Sequence, residues 1–438
     1  MKKYSSIFLI HCCLFCFQFN LQAQQVLSLE EALNIGLQNN YSILVAKEEL
    51  KISELENQIG TAGFLPSLDA DGTYSESVEN TELNFADGSD VQQDGALSSN
   101  LNLGLQVRWM IFDGTKMFIT KNKLEELELI SALGVKSSVN NTLAEIMMTY
   151  YGIVAEVQTY KLLEQQLEVA TARTELSKTK YSIGAASELE QLQAEVDANA
   201  IRSTLFDQEV RVKQAKLALN RLLGRELDSE FEINDSIVIN TTYEKEKLLQ
   251  EMENNPNLNT IEKQRSIAIL ERKESFADRL PKVSLDGRYN YNQSESEAGF
   301  VRFNQATGFI YGASVIMPLF NGNEKNRKEQ QNKVRIEQSK LRYEQEYATT
   351  KEQLLYNLEL FQVNKSRVVF EEKNVELAER NLKFSMESFK QGGISALELR
   401  EVQFSTFAAQ ERLVALKYTI KTAEIELLRL TNQLLQEQ

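Results

Sequence analysis

Two stretches 215 positions apart, FLPSLDADGTY (64–74) and RLPKVSLDGRY (279–289), share Leu-Pro and Asp-Gly-x-Tyr in register. Asn39-Asn40 and Asn254-Asn255 keep the same offset. Phe112-Asp113-Gly114 and Phe320-Asn321-Gly322 repeat at an offset of 208, as do Arg221-Leu222 and Arg429-Leu430. An aromatic-x-x-Gly-x-x-Ser run also recurs at 208, from Tyr181 and from Phe389, with Gly184 on Gly392 and Ser187 on Ser395. Matches in one order along the whole chain mark an internal two-fold duplication. The period is far longer than the roughly 20–50 residues of a solenoid repeat. The fold is therefore one unit used twice: helix, strand, loop, strand, long helix, break, helix.

The strands carry most of the information. Leu68, Ala70, Gly72 and Tyr74 alternate with Ser67, Asp69, Asp71 and Thr73. Leu101, Leu103, Leu105, Val107 and Trp109 alternate with Asn102, Gly104, Gln106 and Arg108. In the second copy Val283, Leu285, Gly287, Tyr289 and Tyr291 face away from Lys282, Ser284, Asp286, Arg288 and Asn290. Phe309, Tyr311, Ala313, Val315 and Met317 continue the pattern, blurred by Ile310 and Ile316. A period of two with one apolar and one polar face suits a strand between two media. Each segment has about ten residues, the length that crosses a membrane as a tilted strand. Trp109, Tyr74, Tyr289 and Tyr291 are the candidate membrane-interface aromatics. Four lipid-facing strands cannot close a barrel, and open edges are not tolerated in hydrocarbon. Several chains must then share one. A soluble sandwich would need more strands than these four.

Segment 76–100 carries six acidic residues and no basic one, and reads as a solvated loop. The spans from about Thr115 to Tyr181 and from Glu324 to Lys390 contain no proline and read as helices about 100 Å long. Leu143, Met147, Tyr150, Val154 and Val157, and again Leu413, Leu416, Ile420, Ala423, Leu427 and Leu430, step by three and four as in a coiled coil. The boundaries follow: a leader at 1–23; a first repeat at 24–224 with strands near 66–75 and 99–112 and a turn at 182–187; a connector at 225–247 with one short strand, Phe231 to Ile239; a second repeat at 248–438 with strands near 281–292 and 308–318 and a turn at 390–395.

Residues 1–23 read as an export signal, with Lys2 and Lys3 ahead of an apolar run and Leu21-Gln22-Ala23 as the cleavage site. Phe15 before Cys16 and His11 before Cys12 argue against lipidation. Removing the segment shifts the formal net charge from −15 to −17 and takes with it His11, Cys12, Cys13 and Cys16, the chain's whole complement of His and Cys. Thiolate and imidazole catalysis and Cys/His metal sites are thereby excluded, and no cofactor is expected. The acidic balance disfavours nucleic acid.

These features together resemble the TolC-like outer-membrane efflux protein family over the whole mature chain. The resemblance rests on the duplicated strand–long helix plan, the Leu-Pro strand starts, Phe-Asp/Asn-Gly at strand exits, and the aromatic-x-x-Gly-x-x-Ser breaks followed by Leu-Glu. It implies an α+β membrane protein: long coiled-coil hairpins plus four transmembrane strands per chain, joined in a homotrimer as a shared twelve-stranded barrel. It also implies contact with outer-membrane lipid, and partners in a periplasmic adaptor and an inner-membrane transporter of RND or ABC type. The duct would conduct passively and catalyse nothing.

In such proteins the two breaks are turns at the periplasmic tip. Gly184, Ala185, Ala186 and Ser187, with Gly392, Gly393 and Ser395, are then the adaptor-docking candidates. Glu398, Glu401 and Glu190 match family acidic residues lining the closed entrance, where rings of carboxylates would favour cations. Gln193 stands where the second copy has Glu401. Phe389 and Ile394 occupy the positions of a family Tyr and Arg that help close the gate, so closure here is expected from packing of Phe389, Ile394 and Tyr181. Three other readings compete: the exit duct of a type I protein secretion system, a periplasmic coiled-coil adaptor without a channel, and an enzyme. The chain holds no P-loop or dinucleotide fingerprint for the last.

Overall fold

The computed structural model describes residues 26–234, 236–239 and 242–434. The expected export signal lies outside the described residues. In chain order the elements are β1 (Val26–Leu27), α1 (Leu29–Asn39), α2 (Tyr41–Glu56), β2 (Ser67–Asn84), β3 (Asp90–Phe112), α3 (Lys116–Ser182), α4 (Glu188–Leu222), β4 (Glu232–Ile233), α5 (Lys245–Glu251), a 3-10 turn (Met252–Asn254), α6 (Pro256–Ala277), β5 (Lys282–Ser296), β6 (Phe303–Ile316), α7 (Glu324–Lys390) and α8 (Ala396–Leu430). The order helix, helix, strand, strand, helix, helix occurs twice, and both times the last two helices have 67 and 35 residues.

The chain divides into two compact units. Residues 46–137 and 256–349 form one, and the remaining described residues the other, so α3 and α7 contribute to both. The first unit holds a 4-stranded antiparallel sheet in the order β2-β3-β5-β6. Its register aligns the apolar residues in rows. Leu68, Val107, Gly287 and Tyr311 are level, and so are Ala70, Leu105, Tyr289 and Phe309. Because side chains alternate, one face is apolar across all four strands and the other carries Asp69, Asp71, Arg108, Asp286 and Arg288. Arg288 reaches over β3 to Asp71 on β2, Nη2 to Oδ2 at 2.6 Å. Gly104 beneath leaves the room for it: a Cβ there would lie 2.7 Å from Arg288 Nη2 and 2.9 Å from Asp71 Oδ1 and push the pair aside.

Three expectations change. β2 and β3 extend to Asn84 and from Asp90, so most of 76–100 is paired strand and the loop shrinks to 85–89. With both faces of that hairpin wet, nothing apolar marks its alternation, and acidic composition alone reads as loop. The connector strand is two residues, Glu232–Ile233, paired in parallel with Val26–Leu27, instead of Phe231 to Ile239. Phe231 instead joins the hydrophobic core. Tyr289 stands mid-band, level with Leu105, not at a strand end. Tyr74 is level with Leu101, Tyr291 lies one row inside it, level with Leu103, and Trp109 is level with Leu285, one row inside Val283.

The second unit is helical. Its core gathers Leu33, Leu143, Ile146, Tyr150, Val154, Leu219, Ile425 and Leu428, so the three-four stripe of α3 faces inward. The Asn pairs of the repeat have matching duties there. Asn40 Nδ2 donates to Leu222 O at 2.8 Å, and Asn255 Nδ2 to Leu430 O at 3.0 Å. Each buried amide satisfies a carbonyl left free at the end of a 35-residue helix.

Candidate functional site

Backbone geometry accounts for the two Gly-Ser breaks. Gly184 (φ +74) and Gly392 (φ +78) take the left-handed conformation. Ala185 N–H donates to Lys180 O and Gly184 N–H to Tyr181 O, at 2.7 and 2.9 Å. Gly393 to Ser388 and Gly392 to Phe389 repeat this at 2.8 and 3.1 Å. Both long helices therefore end in a Schellman motif, which glycine accommodates without a Cβ penalty. Ser187 and Ser395 then cap α4 and α8, each hydroxyl accepting from the N–H of Glu190 or Glu398 at 3.2 Å. α3–α4 and α7–α8 are thus helical hairpins with the same turn.

The candidate residues differ in state. Glu398 Oε2 accepts from Ser395 N–H at 2.8 Å, completing a capping box that the first hairpin lacks. That bond from the Ser395 backbone, with a second from its hydroxyl, holds the Glu398 carboxyl below the usual carboxylate range. Glu398 and Glu401 are exposed and Glu190 is half-buried. Of the gate-packing candidates Phe389 is buried, Ile394 half-buried and Tyr181 exposed. Phe389 is covered by a cation: Lys180 Nζ sits 3.8 Å from its ring centre and donates to Phe389 O at 2.5 Å.

Behind the turns lies a polar cluster that the sequence reading did not single out. Arg173 Nη2 meets Asp197 Oδ2 at 2.5 Å, and their side chains are only 3% and 7% exposed. Arg173 Nη1 donates to Gln403 Oε1 at 2.8 Å, and Gln193 Nε2 to Asp197 Oδ1 at 3.2 Å. Arg400 Nε pairs with the same Asp197 oxygen at 3.0 Å. Asp197 on α4 thereby ties α3 of the first hairpin to α8 of the second. The available signal was a charge inside a stripe of small residues: Arg173 follows Ala170 by three, and Asp197 follows Ala194 by three, where core packing calls for apolar side chains. Between the N-termini of α4 and α8 a cavity of about 330 Å³ opens, lined in part by Leu189, Leu397, Asp197 and Arg400.

A profile of the family described as "Outer membrane efflux protein" matches residues 32–225 and 248–433. Nodulation protein T of Rhizobium leguminosarum bv. trifolii is 21% identical over 398 residues, 86% of this chain and 79% of that protein. The fold is similar to that of the Campylobacter jejuni CmeC outer membrane channel, with TM-score 0.77, 15% identity and coverage of 92% and 85% of the two chains. It is likewise similar to the outer membrane protein VceC of Vibrio cholerae, with TM-score 0.73, 18% identity and coverage of 92% and 96%. The chain belongs to the outer membrane efflux protein family.

Proposed function

We propose that three copies of this chain close their sheets into one twelve-stranded barrel and form the exit duct of a tripartite efflux pump. The protein resides in the outer membrane, with its helical part in the periplasm. The sheet carries the reading. Its four strands are apolar on one face and salt-bridged and polar on the other, and the outer edges of β2 and β6 have no strand neighbour among the described residues. An open edge in hydrocarbon leaves backbone groups unsatisfied, so further copies must supply the missing neighbours. The charged face then lines water, as in outer-membrane barrels generally.

In this reading the two Schellman turns form the tip that meets a periplasmic adaptor, through residues 181–189 and 389–397. An RND or ABC transporter in the inner membrane supplies the energy, and the duct itself catalyses nothing. Glu401 is the stronger constriction residue, because Glu398 already spends an oxygen on its own helix cap. Fractionation with single-channel recording tests the proposal. Heat-modifiable trimers in the outer-membrane fraction that conduct ions in a planar bilayer are expected, with cation selectivity reduced by Glu401→Ala. A soluble periplasmic monomer contradicts it.

A further inference from the structure

Conduction alone gives no role to a group of lysines around Asp278, in the turn between α6 and β5. Lys116 Nζ and Lys282 Nζ lie 3.4 and 3.7 Å from Asp278 Oδ1, and Lys328 Nζ lies 3.6 Å from Oδ2. Lys325 Nζ donates to the Asp278 backbone carbonyl. Three ammonium groups thus gather at one carboxylate, and a fourth at the same residue's backbone carbonyl. The three carboxylate contacts are longer than the roughly 2.7–2.9 Å of a tight charge-assisted bond, and an ammonium has three donors to place. The neighbouring Glu329 is shared in the same way, by Arg279 at 2.7 Å, Lys333 at 3.6 Å and Arg272 at 3.9 Å. Arg279 Nε is buried without a hydrogen-bond partner among the described residues. Glu274, one turn earlier on α6, is already paired with Lys123 at 2.9 Å. Cations are therefore in local excess within a chain of formal charge −15.

The platform is held firmly. Gly114 (φ +77) in the turn after β3 packs so closely that a Cβ would come within 2.4 Å of Ala277 O and 2.8 Å of Leu280 Cβ. Burial pushes the Asp278 carboxyl up, but Lys116, Lys328 and Lys282 outweigh it and hold the group below its ordinary value, so it stays ionised. By strand alternation Lys282 shares its side of β5 with Ser284, Asp286 and Arg288, the polar face. The side chains of Lys116, Lys282 and Lys328 are 37%, 39% and 55% exposed, which leaves them open to a further ligand.

We infer that this cluster is a binding site for a tetrahedral oxyanion of the phosphate class, reached from the aqueous side of the sheet where the strands hand over to helices. Its place on the duct wall rests on the proposed barrel; the binding itself does not. The test is a titration of the detergent-solubilised full chain with inorganic phosphate, read by 31P line broadening. Saturable binding is expected, weakened about a hundredfold in Lys282→Gln/Lys328→Gln and retained in Lys282→Arg/Lys328→Arg, since each of the two lost charge-assisted bonds is worth about tenfold. Wild-type protein without saturable binding, or a Gln variant equal to wild type, overturns the inference. A third arm adds vesicles containing phosphatidylglycerol. Binding of that headgroup without binding of inorganic phosphate overturns the aqueous assignment. Absence of pores in bilayers contradicts the duct while leaving the titration readable, so the two readings fail separately.

Discussion

Replacing Asp197 with asparagine keeps the side chain's size and removes the negative charge that Arg173 and Arg400 share. The Arg173 and Asp197 side chains are 3% and 7% exposed and meet at 2.5 Å, so the guanidinium is left charged and buried without its counterion. Breaking a buried pair from one side costs about 3–5 kcal/mol. Arg400 is 36% exposed, and its pair contributes at most about 1 kcal/mol after solvent screening. Asparagine still accepts one bond from Arg173, which places the expected loss near the lower bound, about 3 kcal/mol. That corresponds to roughly a hundredfold larger population of locally opened states. Amide hydrogen exchange should therefore speed up by about that factor in α3 and α4 around Arg173 and Asp197, and in α8 around Gln403. A double change, Arg173→Leu with Asp197→Leu, should recover most of the protection, because the buried guanidinium is gone and Arg400, 36% exposed, can be solvated. Exchange in Asp197→Asn within about threefold of wild type would show that the cluster does not hold the hairpins together, and would refute the reasoning.

Gly114→Ala and Gly184→Ala both place a Cβ at positive φ, yet only the first meets backbone, at 2.4 Å from Ala277 O. Thermal unfolding should therefore show Gly184→Ala losing about 1 kcal/mol and Gly114→Ala clearly more. Asn40→Ala and Asn255→Ala should each cost about 1–3 kcal/mol in the same assay, for the buried Leu222 or Leu430 carbonyl left unpaired. The Glu398 carboxyl is depressed by its bonds to Ser395, so its contribution is present above the unfolded carboxylate value and is lost as pH falls through the folded one. Exchange protection at the α8 N-terminus should accordingly be flat between about pH 5 and 8 and decline below about pH 4, a decline that Glu398→Ala removes.

How far the architecture could be read from residues depended on whether a medium or a neighbour imposed the pattern. Leu103, Leu105 and Val107 alternate with polar residues because one face of the sheet is apolar, so that part of β3 is visible in the sequence. The distal hairpin, where Glu82 pairs with Gln92 and Leu83 with Val91, has no such contrast and reads as loop. The breaks at Gly184 and Gly392 were legible because a helix stop and a following cap are local events. The Arg173–Gln403 bond spans 230 positions, and no local rule foretells it. The same holds for Lys180 over Phe389: the aromatic's burial could be anticipated, its cationic cover could not. Glu398 shows the converse case, a residue picked for a gate that the helix first uses for its own cap.

The central claim is that edge strands of different copies meet. Within one chain β2 and β6 are separated by β3 and β5, three interstrand steps or about 14 Å. A disulfide needs Cα atoms within about 7 Å, so the two edges of one chain cannot be bridged. Beyond residue 16 the sequence has no cysteine, so single cysteines placed in β2 and in β6 report cleanly. A panel of such pairs, oxidised in isolated outer membranes and resolved on a denaturing gel, is predicted to give a ladder that stops at the covalent trimer. A panel that stays monomeric, or a ladder that runs beyond three, contradicts the shared barrel.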